Sequence, residues 1–235
     1  MSARHRGWIV GGLLILGAVG LVVARGRTSP DPPATTTGPR PVTAAEADRL
    51  AVMRFLIHRS TGVHFRTEVA SAGGPLTIVG DVDYLGRVGE ARVSGAGSSF
   101  TLQWTRETLL AWPDEARTTA PTARPLAPTS SAVDAVLALL LELGQDRPDN
   151  AQLIRENGAT WLRAEMLGST QVDVIQGPAA PASGATSGGP VTYWIDAAGN
   201  LLRLDARLGG SSNPTVISIE PTQYHPVTRS ADLPP

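Results

Sequence analysis

The sequence contains neither cysteine nor lysine. Without cysteine there can be no disulfide, no thiolate nucleophile, no Cys-ligated zinc and no lipidated N-terminal Cys, so packing alone must hold the fold. Charge is also scarce. Charged residues make up 17% of the chain, and 21 acidic against 20 basic residues give a formal charge of −1. A chain so balanced has no electrostatic hold on a polyanion, which excludes nucleic acid as the expected partner. Every basic residue is arginine, a usage that reads as codon bias in a GC-rich bacterial genome. The chain also lacks GxSxG, Walker, GxGxxG and HExxH patterns. What it has in quantity is 25 Gly and 19 Pro, a composition that favours many short strands joined by turns over a helical bundle.

One uncharged run stands out. From Gly7 to Ala24 no residue is charged, with Arg4 and Arg6 before the run and Arg25 and Arg27 after it. Eighteen residues of helix span roughly 27 Å, enough for a bilayer core. The run is read as a transmembrane anchor (7–24) behind a basic cytoplasmic tail (1–6); a cleaved signal peptide is the alternative, with Val22 and Ala24 as its small-residue site. Either reading exports the rest, giving a single-pass protein at the cell membrane with its C-terminal part outside, or a secreted one if the segment is cleaved. Residues 25–41 read as a Pro/Thr-rich stalk, 42–221 as the folded domain and 222–235 as a disordered tail.

Within the domain, Thr43 and Glu46 form a capping box that opens a helix with Leu50, Met53 and Ile57 at helical spacing, ended by Gly62. Val63, Phe65, Thr67 and Val69 then alternate with polar residues, and strands are predicted again around residues 76–84, 88–94, 100–104 and 108–112. The Pro/Thr-rich stretch 113–130 reads as a long loop inside one domain, because each half alone would be too small for an unbraced core. Ser130 or Ser131 caps a nearly all-apolar helix over 133–143, and a short helix follows from about Asp149 to Glu156. Strands resume at 159–166 and 171–175. Residues 177–190 are low in complexity and read as mobile. Val191–Asp196 and Leu201–Leu208 form a hairpin in which Leu202, Leu204, Ala206 and Leu208 should share a face, and residues 215–220 supply a last strand. The expected fold class is α+β: a curved antiparallel sheet, or half-barrel, with helices over its concave face.

Chemistry-bearing residues are dispersed. His5, His58, His64 and His225 fall on four different segments. Asp81 and Asp83 share one strand face, and Glu90 and Glu165 offer a second carboxylate pair, but neither pair carries the further oxygen ligands that a hard metal needs. No metal, no cofactor and no catalytic turnover are therefore expected; an envelope hydrolase using Asp81 and Asp83 is the enzymatic rival. Trp104, Trp112, Trp161 and Trp194 lie on or beside predicted strands, as core residues or as the lining of an apolar cavity.

The order of elements is informative: anchor, stalk, capped helix, strands including LTIVGDVDY, apolar helices, then WLRAEMLGSTQVDVIQGP and YWIDAAGNLLRLDARL. Over about Thr43 to Pro221 the chain resembles the LolA-like envelope carriers, most nearly the LppX/LprG group of actinobacterial lipid-binding lipoproteins. The absence of a lipidated cysteine is a departure, and the 7–24 helix would take its place. The resemblance implies an apolar cavity for acyl chains between sheet and helices. Phe65, Ile78, Val82, Phe100, Leu102, Leu137, Leu141, Leu202 and Leu204 are the candidate lipid-binding wall. The partners it implies are the membrane and a lipid or glycolipid; the alternative is a signalling or scaffold domain of the same fold that binds an envelope protein partner.

Overall fold

The structure is a computed structural model that describes residues 38–95, 97–113, 117–178, 189–208, 213–220 and 223–233. The segments 1–6 and 7–24, most of the stalk, and most of the low-complexity stretch 177–190 lie outside the described residues. Among the described residues no helix is long and apolar enough to cross a membrane.

Helix α1 (Ala44–Arg59) begins where the sequence places it. The Thr43 hydroxyl accepts from the Glu46 N–H, and the Glu46 carboxylate accepts from the Thr43 N–H at 2.8 Å. These bonds satisfy two of the helix's orphan donors. The end of the helix differs from expectation. Ser60 is its C-cap and Thr61 takes the left-handed turn (φ 68°), while Gly62 is the first residue of strand β2 (Gly62–Val69). Gly62 is glycine for a different reason: a Cβ there would lie 2.2 Å from the Tyr224 ring.

Short antiparallel strands follow: β3 (Leu76–Asp83), β4 (Val88–Gly95), β5 (Ser98–Trp104), β6 (Thr108–Trp112) and β7 (Thr122–Pro125). After helices α2 (Ala132–Glu142) and α3 (Ala151–Glu156) come β8 (Thr160–Leu167), β9 (Thr170–Gln176), β10 (Thr192–Asp196), β11 (Leu201–Ala206) and β12 (Thr215–Glu220). With β1 (Arg40–Pro41) they make one open, twelve-stranded antiparallel sheet in the order β1-β8-β9-β10-β11-β12-β2-β3-β4-β5-β6-β7. The fold class is thus α+β. The described residues from 38 onward form one compact unit, so 113–130 divides nothing. That stretch is not all loop either: β7 within it pairs with β6. Residues 40–41, assigned to the stalk, pair with β8.

The helices pack on one face of the sheet. Their buried residues Leu50, Met53, Ile57, Leu137 and Leu140 join Phe65, Ile78, Val82, Leu102, Trp104, Leu204 and Ile217 in a single core cluster. Two side-chain donors fasten α2 to the strands beneath it: Trp104 Nε1 donates to the Leu137 carbonyl and the Tyr84 hydroxyl to the Leu140 carbonyl, each at 3.0 Å. Both donors are buried, so each hydrogen bond spares a desolvated polar group that would otherwise cost about 1–3 kcal/mol. Gly89 makes room for this arrangement, since a Cβ there would meet the Trp104 ring at 2.2 Å.

Candidate functional site

The nine candidate wall residues do not form one surface around a space. Six of them, Phe65, Ile78, Val82, Leu102, Leu137 and Leu204, are at most 2% exposed and pack into the main core. Phe65 meets Trp104 edge-on at 6.2 Å between centroids. Phe100 and Leu141 are half-buried at the margin of that core. Leu202 is on the other side of the sheet, with Val172, Val174 and Trp194. The cause is a β-bulge: Trp194 pairs with Arg203 but Ile195 pairs with Leu201, so Leu202 is an extra residue. The alternation that placed Leu202 with Leu204 breaks there, and Leu201 takes the inward position instead.

Open space lies at the helices' edge. Helix α3 has no buried residue, and Leu153 on it is 51% exposed. On one side a cleft of about 300 Å³ runs between α3, α1 and β10, lined by Leu50, Met53, Leu153, Ile154, Tyr193 and polar residues including Arg54 and Asp149. On the other a cleft of about 540 Å³ is lined by Val42, Ala44, Ala151 and Arg155 among others. Burial pushes the Tyr193 phenol up, so it stays neutral at the cleft floor. A third cleft, of about 490 Å³, holds His58, Arg87, Arg106, Glu107 and Asp146 and is polar, with Leu141 at its wall.

The outer face carries an ordered polar row. Cross-strand pairing puts Glu220, His64, Asp81, Glu90 and Gln103 side by side across five strands. Over this row lies the chain from 223 to 233, the segment expected to be disordered. Tyr224 donates to Asp83 at 2.8 Å, the His225 N–H donates to Asp81 at 3.0 Å, and Gln103 donates to the Thr228 carbonyl and accepts from the Ser230 N–H. Val227 and Leu233 cover Val88, Leu110 and Trp112. Polar sequence alone suggested disorder; a buried Gln103 with both amide groups bonded to the strap, and an apolar patch beneath it, explain the order instead. Partial burial, with the hydrogen bond to Asp83 added to it, pushes the Tyr224 phenol up to about 12.

The suggested carboxylate pairs are thereby resolved. Asp81 and Asp83 do share the outer face, but each has its own partners in the strap. Glu90 on β4 bonds Gln103 and pairs with Arg117 at 2.5 Å. Glu165, six intervening strands away on β8, accepts from Trp194 and Arg163. What sequence reading missed is that His64 stands opposite Asp81 in the β2–β3 hairpin, a pairing its own register implied, and that His225 returns to the same place.

Fold and face together define the class: an α+β protein built on a twelve-stranded antiparallel sheet, helices on one side and a C-terminal strap on the other. No known family model matches the sequence, and no curated protein matches it. Among solved structures that it resembles is the crystal structure of a DUF1329 family protein from Desulfovibrio piger. The two align over 76% of this chain and 92% of that one, at 13% identity and a TM-score of 0.36. The likeness does not single out the LppX/LprG group.

Proposed function

We propose that the chain is a membrane-anchored extracytoplasmic protein that binds an acyl-chain lipid or similar apolar ligand without turning it over. The binding place is the edge of the core beneath α3, not the middle of the sheet. The observation that carries this reading is α3 itself: a six-residue helix with no buried residue, with clefts on both sides, standing over Leu50, Met53 and Tyr193. Lifting it would open an apolar floor continuous with the main core. The cleft's volume lies at the lower end of the ~300–1,000 Å³ typical of ligand sites, so a chain must displace α3 to enter fully. The gain from doing so is large. Each methylene is worth about 0.8 kcal/mol, and a 16-carbon chain left in water is disfavoured by on the order of 12 kcal/mol. The resemblance in element order to LolA-like carriers, with the half-barrel curvature they imply, supports the same reading.

A second reading has its own support. The tight Phe65, Trp104 and Leu137 packing leaves the centre of the helix-covered face filled, as suits a domain that meets an envelope protein through its surface. The domain from residue 38 onward, purified gently and extracted with organic solvent, should yield bound lipid by mass spectrometry. It should also take up a fluorescent fatty acid. Leu153→Glu should lower that uptake about tenfold with an unchanged melting temperature, because the side chain is half-exposed and adds charge at the cleft mouth. A lipid-free domain that takes up no probe would give the place to the partner-binding reading.

A further inference from the structure

We propose that His64, Asp81 and His225 bind one divalent transition-metal ion of the zinc class, and that this ion fastens the C-terminal strap to the outer face of the sheet. A hairpin and the distant strap bring the ligands together: β2 supplies His64, β3 supplies Asp81 opposite it and the strap supplies His225. The ligand atoms of the three side chains lie within 4.8 Å of one another. His64 Nδ1 is 3.1 Å from one Asp81 oxygen, and His225 Nδ1 is 3.8 Å from the other. Ligands around tetrahedral zinc stand about 3.4 Å apart, given Zn–N and Zn–O bonds near 2.0–2.2 Å. The cluster therefore straddles the required spacing, and the adjustment falls on His225, whose side chain is 78% exposed and meets the His64 ring edge-on at 6.2 Å between centroids.

The donor set and its surroundings select the ion. Two imidazoles and one carboxylate suit zinc, copper or nickel, whereas calcium and magnesium take oxygen ligands in greater number. Neighbouring charge is mixed. Glu220 and Glu90 flank the site along the cross-strand row, and the cleft of about 430 Å³ around it also presents Arg92 and Arg117, the latter paired with Glu90. The backbone holds the geometry ready: the His225 N–H donates to the same Asp81 carboxylate, and Tyr224 anchors the neighbouring turn on Asp83. Three protein ligands leave the fourth position to water.

The test is calorimetric titration of the full chain, purified without a polyhistidine tag in a non-ionic detergent, with zinc chloride and separately with calcium and magnesium chloride. Zinc should bind with a stoichiometry of one and calcium and magnesium should not. His64→Ala and His225→Ala should each weaken zinc binding at least about 100-fold. His225 is too exposed for its loss to unfold the domain, and circular dichroism checks this. Zinc should also slow tryptic cleavage after Arg229 in the natural chain but not in His225→Ala. Absence of zinc binding, or binding that survives either substitution unchanged, would overturn the proposal.

Discussion

Asp134 is wholly buried on α2, and its carboxylate is held from two directions. Arg124 on β7 donates twice, at 2.5 and 2.7 Å, and the Ala127 N–H donates at 2.8 Å. Burial alone would raise the carboxyl's pKa; the hydrogen bonds from Arg124 and Ala127, with the arginine's charge, outweigh it and hold the group below its ordinary value. The two partners are not equivalent, because Arg124 is 46% exposed and can return to water while Asp134 cannot. Arg124→Ala should therefore destabilise the domain by about 2–3 kcal/mol in urea denaturation, and Asp134→Ala by less, since breaking a pair is worst when the buried charge remains. Equal losses would show that the carboxylate finds other solvation. Glu46 offers a pH test. Hydrogen bonds from Arg40, outweighing the opposing effect of burial, lower its pKa to about 2. A folded pKa below the unfolded one means that the stabilisation is complete above about pH 4.5 and is lost as pH falls toward 2. Glu46→Gln should cost about 2 kcal/mol at pH 7 and flatten the stability curve in that acid window.

Elements were legible where local chemistry decides them. The Thr43 capping box, the period-two strands and the Asp196–Asn200 turn, in which Asp196 accepts from the Ala198 and Asn200 N–H groups, all follow from neighbouring residues. Features set by distant partners were not. The Leu202 bulge depends on how β10 pairs, Gly62 is small because Tyr224 arrives from far down the chain, and β7 exists because β6 offers an edge and Asp134 a counter-ion. The strap is the largest such case, since a Pro- and Ser-containing tail carries no period and its order comes from Gln103 and the Leu110–Trp112 patch. Its energetic role is testable. Ending the chain after Glu220 uncovers that patch and leaves Gln103 with Glu90 but without its bonds to Thr228 and Ser230, so the domain should lose about 3 kcal/mol in denaturant. In the helix-covered core, Val82→Trp should cost about 1–3 kcal/mol by overpacking, because Val82 is fully buried among filled neighbours. A Val82→Trp domain of undiminished stability would mean that the core holds space after all.

At the scale of the whole molecule, helices cover one face of the sheet and the C-terminal strap covers part of the other, around Gln103 and Trp112, and the proposed function rests on a proposed membrane attachment and on what the edges of the fold admit. The proposed attachment rests on Gly7–Ala24, eighteen uncharged residues between pairs of arginines. Such a segment inserts because each apolar side chain gains in the bilayer, whereas an arginine placed at its centre costs about 2.5–3.5 kcal/mol. Replacing both Leu16 and Val19 by Arg should therefore abolish insertion. The expectation for the unaltered chain is specific: a C-terminal alkaline phosphatase, active only outside the cytoplasm, should be active and should sediment with membranes. The double-arginine variant should be inactive and remain in the cytoplasm. Active phosphatase released into the medium would identify 7–24 as a cleaved signal, which keeps the domain outside but removes the tether. An inactive fusion of the unaltered chain would reject export, and with it any role for this domain in handling envelope lipid.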